Sequence, residues 1–168
     1  MRLVIDGGAP SDDSICRLGG LTAVMMDAAL LTALRLAGIF AVGLGALHFF
    51  FPRLLDFRAA IPADGPPLRP LRLPGTRLAY ATTRGDVHGI AWVMNHCVSY
   101  TILSIGVADV LAARWITTPH GRLLAAWIAG FYAVRAASQR YLGRRRGDWL
   151  VMAAFAALGA LHLVTAFR

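Results

Sequence analysis

Asn95-His96, with Ser99 and Tyr100 one helical turn on and Trp92 one turn before, is the densest polar cluster in the apolar part of this chain. An amide, an imidazole, a hydroxyl and a phenol at that spacing cover adjoining strips of one helix. They can line a small-ligand pocket, with His48 from another apolar stretch opposite. Two histidines on neighbouring helices can also ligate one haem iron, so His48 and His96 are candidate haem ligands or flanks for a quinone. The plainer reading is a pair of hydrogen-bonded histidines inside a helix bundle. Arg35 and Asp109 also fall within apolar runs, where ionisable groups are costly and turn to the bundle interior. Their similar depth on antiparallel helices makes an intramembrane charge pair the expectation, locking two helices together or, alternatively, relaying protons. No catalytic residue emerges: there is no Gly-rich phosphate loop, nucleophile elbow or zinc motif. No metal site and no cofactor are expected, haem being the exception.

These side chains need spanning helices to hold them. Four apolar stretches supply them, over about 28–51, 88–112, 122–139 and 149–167, the third interrupted by Arg135. A hydrocarbon core of ~30 Å takes about 20 residues in helix. The composition agrees, at 57% hydrophobic with a mean hydropathy of +0.58. The expected fold is therefore all-α, an integral membrane four-helix bundle over residues 26–168, multi-pass in a cell inner membrane with the lipid bilayer as its first partner. Residues 1–25 read as a disordered tail or a mis-assigned start, with Met25 and Met26 just before the first span.

All seventeen basic residues are Arg and all nine acidic ones Asp, for a net charge of +8. Nucleic acid is excluded as a partner by placement, because the arginines gather in particular loops. Arg53, Arg58, Arg69, Arg72, Arg77 and Arg84 follow the first span, and Arg140, Arg144, Arg145 and Arg146 follow the third. The opposite side has Arg2, Arg17, Arg114, Arg122 and Arg168. Ten against five makes the loops 52–86 and 139–148 cytoplasmic and puts both termini outside. Cys16 and Cys97 make neither a metal spacing nor a disulfide. The loop 52–86 holds six prolines, which forbid a long helix. Leu54, Leu55, Phe57 and Ile61, with Arg53 and Arg58, can form a short interfacial elbow there.

Each span carries a small or polar seam. On the first it is Arg35, Gly38, Ala41, Gly45, His48 and Pro52; on the second His88, Trp92, Asn95, Ser99, Gly106 and Asp109. Small residues let membrane helices approach closely. The run Leu44–His48 recurs as Leu158–His162, an echo that coincidence or packing convergence explains better than an inverted repeat does.

Leu34-Arg35-Leu36 with Gly38, Phe40, Gly43, His48, Phe50 and Pro52 resembles the first helix of the DoxX-like group of small bacterial membrane proteins. The resemblance implies a four-helix bundle and a redox- or stress-linked accessory role, and carries over no catalytic residue. Three functions remain open. One is a non-catalytic accessory protein that binds a partner, another copy of itself or a small apolar ligand. The second is a redox protein holding haem or quinone near His48 and His96. The third is a transporter or channel, which needs oligomers because four short helices enclose little.

Overall fold

The computed structural model describes residues 12–72, 74–75, 79–141 and 146–168. Arg2, Arg77, Arg144, Arg145 and the first eleven residues of the expected tail lie outside them. Helix α1 runs without interruption from Asp12 to Leu54, 43 residues. At the usual rise that is ~64 Å, about twice a hydrocarbon core. Residues 12–25 are helical as the first part of α1. Their Leu, Ala and Met content suits helix, and no proline occurs between Asp12 and Pro52 to stop it.

Beyond Leu54 the prolines act as expected. Helix α2 is a single turn, Phe57–Ala60, capped by Asp56, whose side chain accepts from the Ala59 N–H and whose φ of 44° lies in the left-handed region. Strands β1 (Leu71–Arg72) and β2 (Ala79–Tyr80) pair antiparallel, Leu71 opposite Tyr80. Helix α3, Arg84–Val110, begins four residues before His88. Thr83 and Asp86 form a capping box: Asp86 Oδ2 accepts from the Thr83 N–H at 2.7 Å, and Thr83 Oγ1 accepts from the Asp86 N–H at 3.1 Å. After a 3-10 turn, Ala112–Arg114, helix α4 (Pro119–Ser138) starts from a Thr118 N-cap with proline in its first turn. Helix α5 covers Arg146–Ala166.

Among the described residues the fold is all-helical apart from the two-residue strand pair, and three of the helices are long and apolar enough to cross a membrane. These are Val24–Leu54 within α1, Arg84–Val110 and Arg146–Ala166. Leu36, Ile39, Phe40, Ile90, Val93 and Leu150 on them are exposed, as a lipid-facing surface requires. Helix α4 has 20 residues, but Arg122 and Arg135 pull its hydropathy below the other three.

The helices pack as two units, residues to Arg35 with Ala112–Arg168, and Leu36–Leu111. In the second, the lower part of α1 crosses α3 on glycines. A Cβ on Gly106 would lie 2.6 Å from the Val42 nitrogen. One on Gly38 would lie 2.7 Å from the Gly106 carbonyl oxygen, and one on Gly45 2.7 Å from the Leu103 nitrogen. Ala41, Ile102 and Ile105 are buried in this unit. In the first unit α4 and α5 form a hairpin. Tyr132, fully buried, stacks on Phe155 at 6.0 Å and lies 5.5 Å from the buried His162 ring. The echo Leu44–His48 and Leu158–His162 thus ends in unlike surroundings. Gly45 is in forced contact with Leu103, whereas a Cβ on Gly159 would meet Ala129 at an ordinary 3.5 Å.

Candidate functional site: a proline-freed carbonyl and an aromatic cluster

In an α-helix the carbonyl of residue i accepts from the N–H of residue i+4. Pro52, inside α1, has no N–H, so the His48 carbonyl loses its helical donor. The donor comes from α3: the Asn95 side-chain amide donates to the His48 carbonyl at 2.9 Å. On the same helix, Ser99 Oγ donates to the Asn95 backbone carbonyl at 2.6 Å. Ser99 is fully buried. Asn95 and Ser99 therefore face the interior of the unit, as their seam position implies. What Asn95 meets is the backbone of His48 and not its imidazole, because the missing proline donor is on the backbone.

The His48 ring packs against Phe51, centroids 4.2 Å apart. His96 is exposed and stacks on Phe49 at 5.9 Å. Trp92 gathers the other rings: His96 at 5.8 Å, Phe57 edge-on at 6.2 Å and His88 at 6.2 Å. His88 Nδ1 bonds the Ile61 carbonyl, which fixes the Nδ1–H tautomer and ties the start of α3 to the loop after α2. The Trp92 indole N–H is buried with no hydrogen-bond partner.

Of the six residues expected to line a pocket, His48, Asn95 and Ser99 form one hydrogen-bonded chain, and Trp92 and His96 meet each other ring to ring in the separate aromatic cluster. Tyr100 is 67% exposed and stands outside the cluster. The two members of the expected charge pair fall in different units, Arg35 exposed and Asp109 fully buried. Among the described residues, no three His, Cys, Asp or Glu side chains gather as a metal site would need.

Sequence reasoning passed over three features. The His48–Pro52 spacing of four is itself the signal for a freed carbonyl. Thr83-x-x-Asp86 announces where α3 starts. The third is Arg135. Its guanidinium lies over the Phe155 ring at 4.8 Å and donates to Gln139 Oε1 at 2.6 Å. The buried Gln139 reaches Asp148 Oδ1 at 3.5 Å. The signal was Arg135 and Gln139 one turn apart on the face that carries Tyr132.

The described side chains thus offer a structural hydrogen-bond chain, an aromatic cluster with one spare donor, and a sheltered arginine. No protein-family model, no curated protein and no solved structure matches the chain.

Proposed function

We propose that this chain is a small integral membrane protein of non-catalytic, accessory type that binds a small apolar ligand carrying a hydrogen-bond acceptor beside Trp92. The buried, unpartnered Trp92 Nε1–H carries the reading. A buried donor without an acceptor costs on the order of 1–3 kcal/mol. A ligand carbonyl seated among Phe57, His88 and His96 would remove that cost and stack on the same rings. A quinone has the required shape and acceptor.

The experiment is a thermal-shift titration of the purified protein in detergent with a short-chain benzoquinone. A saturable rise in melting temperature is expected in the native chain and its loss in Trp92→Phe. An equal rise in both proteins would defeat the assignment. An absorbance band in the Soret region of the same preparation would instead favour haem at His48 and His96.

The reading includes four spans, α4 being the fourth. Its support is the way Arg135 is engaged by Phe155 and Gln139 within the α4–α5 hairpin, which lets an apolar helix carry a charge. The resemblance of the first span to the DoxX-like group agrees with that architecture. The arginine asymmetry then places both termini outside. Alkaline phosphatase fused after Arg168 is expected to be active in a bacterial host, and fluorescence of a cytoplasm-dependent reporter at that position would reverse the topology.

A further inference from the structure

Among the described residues three rings pack on Trp92, and they differ in what holds them. His88 and His96 stand one turn before and after it on α3, so neither can leave without unwinding that helix. Phe57, edge-on at 6.2 Å, comes from α2. No residue of α2 is buried, and a single turn with so little buried surface has low local stability. Two positions of positive φ bracket the segment, Asp56 at 44° and Gly65 at 135°. The Gly65 end is anchored to the start of α3. Arg84 lies so close over it that a Cβ on Gly65 would meet Arg84 Cδ at 2.8 Å, and the Ala63 carbonyl comes up to Gly85. The Asp56 end is held by the Phe57 ring contact and by the hydrogen bond from His88 Nδ1–H to the Ile61 carbonyl.

We propose that residues 57–62 form a lid over the Trp92 indole, hinged at Asp56 and latched by the His88–Ile61 hydrogen bond. Opening carries Phe57 away from the buried Trp92 Nε1–H, the one ring of the three that can go. Two opposing tendencies set the balance. An L-residue is ill at ease in the left-handed region, so rotation of Asp56 out of it favours opening. The latch, the ring contact and the bond from the Ala59 N–H to Asp56 Oδ1 favour closure. Hinges concentrate such backbone rotation in a few residues at element ends, and Asp56 stands between the end of α1 and the start of α2. The donor itself stays in place, because Asn95 and the glycine crossing hold α3 against α1 further along. As a gate for a ligand the lid rests on the Trp92 reading above, whereas its motion is measurable with no ligand present.

Acrylamide quenching of Trp92 fluorescence tests the motion, in the full chain in detergent with Trp115→Phe, Trp127→Phe and Trp149→Phe. Asp56→Ala, which loses the cap and tolerates the left-handed backbone less well, is expected to raise the quenching constant about fivefold, the equivalent of ~1 kcal/mol for one hydrogen bond. His88→Leu, which removes the latch, should act alike. Asp56→Asn keeps a side-chain acceptor and suits the left-handed region, so it should quench as the native residue does, and so should Arg58→Gln on the exposed face of α2. Asp56 is exposed, so its replacement spares the packed helices. A native quenching constant in Asp56→Ala would overturn the lid. Stopped-flow mixing with the short-chain benzoquinone, in the chain with all its tryptophans, tests the gate. Association is expected to be about fivefold faster in Asp56→Ala, and an unchanged rate would overturn the gating role. Absence of saturable quinone binding in every variant would instead defeat the Trp92 reading and the gate with it, while the acrylamide result still decides the lid.

Discussion

Replacing Gly106 with Leu is expected to abolish the folded state of the α1–α3 unit, and Gly106→Ala to destabilise it by about 1–3 kcal/mol, the usual cost of forcing extra atoms into a packed contact. The added Cβ would stand 2.6 Å from the Val42 nitrogen and 2.8 Å from the Gly38 carbonyl oxygen. Both are backbone atoms, which yield only if the helices separate. Gly38→Ala should act alike, since its Cβ meets the Gly106 carbonyl and the Val110 nitrogen at 2.7 Å. Gly43 supplies the contrast on the same helix, because a Cβ there meets nothing within 4 Å. Gly43→Ala should be neutral or stabilising by up to ~1 kcal/mol through helix propensity. Thermal melting in a mild detergent, followed by circular dichroism, reads all four variants. If Gly106→Ala melted with Gly43→Ala, the close crossing would be wrong.

Asn95→Leu is expected to cost about 1–3 kcal/mol, the penalty for leaving the His48 carbonyl unsatisfied away from water. The unusual expectation is its suppressor. Pro52→Ala restores an N–H at the position that should bond His48, so the double variant regains most of the loss. Alone, Pro52→Ala gives up some packing of a buried ring and gains a helical bond that must compete with Asn95, so its net effect should be small. The signature is a marked departure from additivity, as for any two residues that serve one acceptor. Strict additivity of the two changes in melting free energy would break the link between Pro52 and Asn95.

Sequence determined the medium and the class of fold. Apolar runs of bilayer length require helix, because backbone groups in lipid must be satisfied within the segment. The runs at 28–51, 88–112 and 149–167 reappear in α1, α3 and α5 within a few residues at most ends. The seam of Gly38, Ala41 and Gly45 was legible too, since three-and-four spacing places small residues on one face whatever that face meets. The glycine contacts with Gly106 and Leu103 show what it meets.

Other features depended on distance between segments. Asn95 and His48 are 47 residues apart, and no periodicity in either helix says that an amide will fall on a particular carbonyl. The same holds for Arg168 and Asp27, separated by 141 residues, and for Arg122, whose guanidinium reaches the Arg168 backbone oxygen from 46 residues away. Tyr100 shows the converse. It shares a cluster with Asn95 and Ser99 in the sequence, but its position on the helix turns it outward, and only the packing of α1 on α3 decides which strip of α3 is covered. Helix-forming and membrane-spanning tendencies are local sums over residues and can be read along the chain. A binding site is a meeting of side chains from different helices, and the register of those helices is set by a few backbone contacts at glycines and one proline.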